Sequence, residues 1–190
     1  MNEAGKPRLL LHACCAPCST SVLERLVREY HVTGYFYNPN IHPSNEYTTR
    51  LFEAKEYYGE QGIPLVAEEY DEDVWHTLVQ GHEGDPERGE RCTICYRMRL
   101  ERTARKAREL GMDIFGTVLT ISPHKDAARI NSLGEELAKE YGVRFLVADF
   151  KKRDGYKRSI EISREKDLYR QNYCGCIYSG VKRTDQSRGE

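Results

Sequence analysis

The sequence contains no apolar run approaching the roughly 18 residues that a membrane-spanning helix needs. Its amino-terminal region also lacks the long apolar stretch of a signal peptide, because the run at residues 8–13 is far too short. We therefore expect a cytoplasmic protein that does not associate with a membrane. Because cysteines stay reduced in that compartment, a framework of structural disulfides is not expected.

The chain also lacks an excess of either charge. Its 29 Lys and Arg residues face 30 Asp and Glu residues, which leaves a net charge of -1. The net charge therefore gives no indication of a nucleic-acid partner, and such a partner would have to be inferred from local basic patches. The candidate patches are residues 97–108 and residues 151–158, the second with Tyr156 among its basic residues, because basic groups contact phosphates and aromatic rings stack on unpaired bases.

Two familiar motifs are missing as well. No glycine-rich phosphate-binding loop is present, which weighs against an ATP-pyrophosphatase-like enzyme even though a strand–loop–helix unit opens the chain. No ferredoxin-type C-x₂-C-x₂-C-x₃-C run is present either, so cysteine spacing alone does not establish an iron–sulfur cluster.

Strand and helix patterns alternate almost throughout the chain. They predict an α/β fold, a three-layer sandwich around a largely parallel, Rossmann-like (HUP-like) sheet of about five strands. The predicted strands are residues 8–13, 32–37, 63–67, 114–120 and 144–148. The first predicted helix has Ser19 as its N-cap, and the others cover residues 45–61, 71–79, about 92–111, 126–141 and a segment ending near Lys166.

Neither a repeat nor a low-complexity linker divides the sequence. We therefore expect residues 1–190 to form one α/β domain, with a cysteine-containing tail of about residues 151–190 folding back onto the site. In parallel sheets, ligands bind outside the carboxyl ends of the strands. The loops at residues 14–18, 38–43 and 120–125 each follow a predicted strand directly, so they should line one crevice.

Seven cysteines stand in three groups, which are Cys14 with Cys15 and Cys18, Cys92 with Cys95, and Cys174 with Cys176. The first two groups lie where helices are predicted to begin, and this position is expected to lower thiol pKa values. Two C-x-x-C pairs are also typical of a structural Cys₄ zinc site, but zinc would leave the third group without a ligand role. An iron–sulfur cluster with a separate dithiol accounts for more of the sulfurs.

The pair Cys174 and Cys176 is separated by Gly175 alone. A disulfide across one glycine closes a small, strained ring that is easily reduced, and the glycine gives the backbone the freedom to close it. Such a pair suits a dithiol that passes two electrons, or one that chelates a metal.

Five stretches of the chain resemble the QueH family of epoxyqueuosine reductases. They are LLHACCAPCS at residues 10–19, YNPNIHP at 37–43, ERCTIC at 90–95, LTISPHK at 119–125 and YRQNYCGCIY at 169–178. Because these stretches span nearly the whole chain in the expected order, the resemblance is far more specific than a single motif.

The resemblance implies a two-electron reduction of epoxyqueuosine at the wobble position of tRNA to queuosine, without cobalamin. It also implies a 4Fe–4S cluster, in some members a second mononuclear iron, and a low-potential electron donor. Carried onto this chain, it assigns cluster ligation to Cys14, Cys15, Cys92 and Cys95, and a redox-active role to Cys174 and Cys176. Cys18 is then available for the second metal, although Cys15 with Cys18 is an alternative pair of cluster ligands.

Residues at the predicted strand ends supply the remaining candidates. His12, Tyr37 and His42 are candidate catalytic proton donors by location, and Asn38, Asn40, His124 and Lys125 are candidates for binding the modified base. The rival interpretation is a zinc-stabilised, non-catalytic RNA-binding module. The colour of anaerobically purified protein would separate the two, because iron–sulfur proteins are brown and zinc proteins are colourless.

Overall fold

The structure, a computed structural model, describes residues 5–179. The elements in chain order are β1 Arg8–His12, α1 Ala16–Leu26, β2 His31–Phe36, α2 Ser44–Glu60, β3 Leu65–Ala67, α3 Glu72–Leu78, α4 Glu90–Glu109, β4 Ile114–Thr117, a 3-10 helix Val118–Ile121, α5 Ala127–Tyr141, β5 Arg144–Phe145 and α6 Gly155–Glu165. Residues 1–4 of the expected domain and 180–190 of the expected tail lie outside the described residues. None of the helices described is long and apolar enough to cross a membrane.

The five strands form one sheet in the order β3-β2-β1-β4-β5, and every neighbouring pair is parallel. The central strand β1 pairs on both sides, with Leu10 opposite Thr33 of β2 and Phe115 of β4. The strand order reverses between β1 and β4, where α/β sheets of this kind place their ligands. The predicted α/β fold class is confirmed.

The apolar run of β1 is buried on both faces of the sheet, as central parallel strands are. Leu10 packs in one core with Leu100 of α4 and Leu137 of α5. Leu9 and Leu11 point to the opposite face and pack in a second core with α1, α2 and the segment before α6. The sheet is therefore the middle of three layers.

The first helix starts earlier than the sequence suggests. Its first residue is Ala16 and its N-cap is Cys15, so the prediction of Ser19 as N-cap is wrong. Pro17 explains the difference, because proline is favoured in the first turn of a helix, where its missing N–H is not needed. Ser19 instead donates its hydroxyl to the Cys15 carbonyl oxygen at 3.0 Å. Cys18 thereby lies within the first helical turn.

Strands β3, β4 and β5 are shorter than predicted. After β4 the Thr117 hydroxyl accepts a hydrogen bond from the Leu119 N–H at 3.1 Å and turns the chain into the 3-10 helix. Beyond β5, the Asn131 side chain bonds both the N–H and the carbonyl of Ala148, at 3.3 and 3.1 Å. These side chains take backbone groups that a longer strand would use.

Gly155 marks a close approach at the start of α6. A Cβ at this position would overlap the Phe150 carbonyl oxygen, which belongs to the backbone and has little freedom to move aside. We expect Gly155→Ala to lower the free energy of unfolding by about 1–3 kcal/mol. Gly59→Ala in α2, where a Cβ would meet nothing within 4 Å, should raise it by about 0.5–1 kcal/mol. Denaturant titration of both variants checks this, and equal midpoints would contradict it.

Candidate active site

A cavity of about 280 Å³ opens at the carboxyl edge of the sheet. The loop after β1 contributes Cys14, the first turn of α1 contributes Cys18, and the segment after β4 contributes Ser122, His124 and Lys125. The loop after β2 is tied to the first by Asn38, whose amide donates to the Ala13 carbonyl oxygen at 2.9 Å. It supplies Asn40 to a smaller adjoining cavity instead. Two of the three predicted loops therefore line the main cavity, and the third lies beside it.

Cys14, Cys15 and Cys18 form a compact group of thiols, with all three sulfur atoms within 4.8 Å of one another. The sulfurs of Cys14 and Cys15 are 3.8 Å apart. The Gln171 side chain reaches this group from the tail and donates its amide to the Cys15 sulfur at 3.0 Å. This geometry allows three thiolates to share one metal centre.

The other cysteines lie on the adjoining side. Cys92, Cys95, Cys174 and Cys176 all line the smaller cavity, of about 20 Å³, and Cys174 lines the larger cavity as well. Cys174 therefore connects the two sides of one sulfur-rich region. All seven cysteines are free thiols.

Of the four cysteines predicted to bind the cluster, only Cys14 and Cys15 belong to the compact thiol group. Within the described residues, no group with atoms inside 4.8 Å combines Cys92 or Cys95 with the compact thiol group. Cys18 joins Cys14 and Cys15 instead, so the assignment of Cys92 and Cys95 as cluster ligands stays a prediction.

Two cationic side chains face the thiols from both cavities. Arg99 is only 3% exposed and donates its Nε–H to the Cys95 carbonyl oxygen at 3.0 Å. Burial works against its charge, but the nearby thiols, first Cys95 and then Cys14, raise its pKa overall. The pKa of Lys125 is likewise raised against the effect of burial, through Cys174 and Cys14. These cations stabilise negative charge on the sulfurs.

The thiol pKa values differ from the expectation for cysteines at helix starts. The Cys14 pKa is held well below its usual value by hydrogen bonds from Cys15 and Cys18. The same contact with Cys14 raises the Cys15 pKa to about 12, and burial raises that of Cys95 to about 11. The prediction that the position at a helix start lowers all these thiol pKa values is therefore wrong. Burial and proton sharing outweigh the helix dipole here, and within this group the geometry favours a thiolate at Cys14.

The tail is fastened to the site through Arg50. This side chain is 1% exposed, pairs with Glu46 at 2.6 Å, and donates to the Tyr173 carbonyl oxygen at 3.3 Å while stacking over the Tyr173 ring. Gly175 follows with a φ of +96°, and a Cβ there would come within 2.8 Å of Ile41. A glycine is thus required for the tail to bring its two cysteines against the loop after β2.

Comparison with known proteins agrees with this geometry. The family model described as epoxyqueuosine reductase QueH matches residues 9–182. The chain belongs to the QueH family. Its relatives include the epoxyqueuosine reductase QueH of Streptococcus pyogenes serotype M1, 43% identical over 94% of this chain and 72% of that protein. That of Thermotoga maritima is 35% identical over 94% of this chain and 93% of that one.

Membership of the QueH family makes the chain an enzyme of the oxidoreductase class, so the non-catalytic alternative is wrong. A solved structure described as a predicted subunit of a tRNA methyltransferase from Methanocaldococcus jannaschii is also similar. Its TM-score is 0.54 at 14% identity, covering 83% of this chain and 76% of that one. This likeness concerns the fold alone.

None of the three proton-donor candidates in the QueH stretches, His12, Tyr37 and His42, lines either cavity. His12 is fully buried, with Nδ1 3.0 Å from the Thr117 hydroxyl and Nε2 3.2 Å from the Tyr37 carbonyl oxygen. Burial, followed by the charge of Arg99, lowers its pKa to about 3. Tyr37 packs in the core beneath Arg102. Their catalytic assignment stays a prediction, and this geometry gives it no support.

The candidates for base binding divide in a similar way. Asn38 is buried, and its two amide atoms contact Ala13 and His12, so it holds the loop in place. Asn40 lines the smaller cavity, and His124 and Lys125 line the larger one. The last two are placed to meet a ligand in the main cavity, but their role as substrate ligands stays a prediction.

The predicted basic patches are largely neutralised by acidic neighbours. In α4, Arg97 lies 3.3 Å from Glu136 and Arg102 lies 3.4 Å from Glu68. In the second patch, Arg158 pairs with Glu24 at 2.8 Å. A set of cations lines the main cavity instead, namely Arg50, Arg99, Lys125 and Arg170. Of these four, Arg50 pairs with Glu46, whereas no carboxylate of the described residues forms an ion pair with Arg99, Lys125 or Arg170.

Arg99 is the main site residue that the sequence did not single out, because it falls within the basic patch at residues 97–108. Cys92, Cys95 and Arg99 are spaced i, i+3 and i+7, which places them on one face of α4. That spacing could have revealed it. Nothing in the sequence indicated that Arg50 would line the same cavity as Cys14, or that Gln171 would contact Cys15, because only the fold brings them together.

Proposed function

We propose that the chain reduces epoxyqueuosine at the wobble position of tRNA to queuosine, in the cytoplasm and without cobalamin. In this reaction the epoxide takes up two electrons and two protons, the oxygen leaves as water, and a carbon–carbon double bond forms. Membership of the QueH family supports the reaction class. The observation that carries the proposal is the set of seven free thiols gathered at two adjoining cavities that share the cations Arg99 and Lys125.

The donor set fits a 4Fe–4S cluster. Soft thiolates are the ligands that such clusters use, and three sulfurs already lie within 4.8 Å of one another. We propose Cys14, Cys15, Cys92 and Cys95 as the ligands, with Cys18 available to a second mononuclear iron. The alternative uses the compact thiol group with one further cysteine. When bound, the cluster supplies electrons, and an open iron position supplies a Lewis acid for the epoxide oxygen.

Cys174 and Cys176 are proposed as the redox-active dithiol. A hydrogen bond from Cys176, opposed by burial and helped by Lys125, holds the Cys174 pKa well below its usual value, which favours the nucleophilic thiolate. Oxidation of a dithiol to a disulfide releases two electrons and two protons, the numbers that epoxide reduction consumes. A low-potential electron donor would then restore the dithiol.

The main cavity is proposed to hold one nucleoside flipped out of the anticodon loop. Its volume of about 280 Å³ is near the lower end of small-molecule sites. Tyr156 and Tyr173 line it and offer aromatic faces, and His124 and Lys125 offer polar contacts to a modified base. Arg170, also on the lining, is proposed to contact a phosphate of the same strand.

Conversion of a defined substrate tests the proposal. Anaerobically reconstituted protein should hold about four iron and four sulfide, plus any second-site iron. With an artificial low-potential reductant and no cobalamin, it should convert epoxyqueuosine in an anticodon stem-loop, and mass spectrometry should show the loss of one oxygen atom. An unchanged nucleoside in protein with a reducible cluster would contradict the reaction. Stoichiometric zinc without labile sulfide would contradict the cofactor.

A further inference from the structure

A second group of metal-ligating side chains lies outside the main cavity. His42, Glu72 and His76, here called the His42 cluster, each offer a ligand atom, and these atoms lie within 4.8 Å of one another. His42 stands in the loop after β2, whereas Glu72 and His76 lie one turn apart on α3. An i, i+4 spacing puts two side chains on the same helix face. The fold therefore directs three potential ligands to one point.

The polar groups of this cluster are poorly satisfied by protein partners. His42 is 6% exposed, and its Nε2 has no hydrogen-bond partner in the part of the chain that the structure describes. Its Nδ1 lies 3.5 Å from both the Tyr70 hydroxyl and Glu72 Oε2, which is long for a hydrogen bond. A buried imidazole without good partners is costly unless something else satisfies it.

The Tyr70 hydroxyl cannot supply the hydrogen bonds that this cluster lacks. Its hydroxyl lies 2.7 Å from the Ile41 carbonyl oxygen and 3.1 Å from Glu72 Oε2, but it has one proton to donate. If that proton serves the closer carbonyl, the Glu72 oxygen facing His42 has no strong protein donor and, in a side chain that is 49% exposed, stays available to solvent or a cation. A cation bound between the imidazoles and the carboxylate would give one nitrogen of each ring and the Glu72 carboxylate a strong common partner.

A metal-free ion pair between His42 and Glu72 is the alternative. It requires a positive charge on a buried ring whose centroid is 4.9 Å from that of His76. Binding of a metal to the neutral imidazole, through its lone pair, avoids this buried positive charge.

We propose that His42, Glu72 and His76 bind a divalent transition-metal ion such as Zn²⁺ or Fe²⁺, separately from the cysteines. Two imidazoles and one carboxylate are a common ligand set for these ions, with a further position left for water. Tyr70 then acts as an outer partner that orients Glu72.

Such an ion would also stabilise the position of the segment that carries Cys174 and Cys176. The backbone N–H of His42 donates to the Gly175 carbonyl oxygen at 2.8 Å, and the Tyr173 hydroxyl donates to the backbone carbonyl oxygen of His42 at 2.5 Å. A metal that fixes the His42 ring to α3 therefore fixes the loop against which Cys174 and Cys176 lie. The site is a structural clamp for the C-G-C segment.

Equilibrium dialysis against buffered Zn²⁺ tests the site on the full chain. His76→Ala and Glu72→Gln should each lose one equivalent of zinc relative to wild type, because all seven cysteines remain in every sample and contribute the same background. Tyr70→Phe should keep the site with about 10- to 100-fold weaker affinity. Anomalous diffraction from zinc-soaked crystals should show a peak between the two imidazoles.

Asp73→Asn is the matched control, since Asp73 is exposed on the same helix and is not one of the three ligands; it should keep the full zinc content. Glu72 and His76 are exposed too, so their variants should fold, which circular dichroism verifies. Unchanged zinc content in both variants, or an anomalous peak confined to the cysteines, would overturn the proposal in favour of a metal-free pair. Because the readout is not activity, this result is independent of the proposed reaction.

Discussion

Replacing Cys92 by alanine is expected to abolish binding of the proposed iron–sulfur cluster, whereas replacing Cys174 by alanine should leave most of the cluster absorbance and stop turnover. Cys92 lies in the first turn of α4, and the Arg88 N–H, 3.3 Å from its sulfur, helps to fix its position. If Cys92 is a cluster ligand held in this way, a more flexible side chain nearby cannot take its place. Cys174 belongs to the tail, where its proposed role is to carry electrons.

The expected loss of turnover in Cys174→Ala is about 10³-fold or more, the scale found when a reactive nucleophile is removed. Cluster content is measured by iron and sulfide analysis and by visible absorbance, and turnover by queuosine formation. Cys176→Ala should behave as Cys174→Ala does, and Cys95→Ala as Cys92→Ala does. If the Cys174 variant loses its cluster as completely as the Cys92 variant, the pair at the tail is not a separate dithiol.

Cys18→Ala distinguishes the two ligand sets. If Cys18 binds only a second iron, this variant keeps about four iron and four sulfide and loses the additional iron. If the compact thiol group itself holds the cluster, as the 4.8 Å limit on its sulfur separations allows, the variant loses the cluster instead. The comparison requires only metal analysis of anaerobically reconstituted protein.

The elements that the sequence predicts well are those whose signal is local. The apolar run at Leu9, Leu10 and Leu11 indicates a buried strand, and in a parallel sheet the loop that follows such a strand must lie at the ligand edge. Element ends are predicted less well, because they depend on single competing contacts. Pro17 moves the start of α1, and the Asn131 side chain takes the backbone groups that would lengthen β5.

The least predictable features are contacts between distant segments. Glu72 and His76 show a helical spacing, but only the packing of α3 near the loop after β2 brings them to His42. Gln171 likewise reaches the Cys15 sulfur across 156 positions of sequence. Thiol pKa values belong to the same class, since they depend on which sulfurs share a proton and on how deeply each is buried.

Arg99→Met is expected to cause the largest loss among variants that keep every cysteine. Arg99 lines both cavities and is a buried cation whose charge interacts with Cys95 and Cys14. Without it, the sulfurs and any cluster they hold lose one of the two cations that face them from both cavities. We expect turnover to fall about 10²- to 10³-fold, as when one preorganised electrostatic group is removed from an active site.

The reduction potential provides the second readout for Arg99→Met. Adding an electron makes the site more negative, so a nearby positive charge stabilises the reduced state, and its removal should shift the midpoint potential to a more negative value. Arg99→Lys keeps the charge but loses the hydrogen bond to the Cys95 carbonyl, so its potential should stay near wild type while its activity falls partly.

Arg97→Met is the matched control on the same helix. Arg97 is 45% exposed and pairs with Glu136 and Glu140 at the surface, an arrangement that contributes about 0–1 kcal/mol to stability. Its potential and turnover should therefore remain at wild-type values. Potential and rate unchanged in Arg99→Met as well would show that Arg99 only fills space, and the charge that favours reduction would then have to come from Lys125, the other cation that lines both cavities.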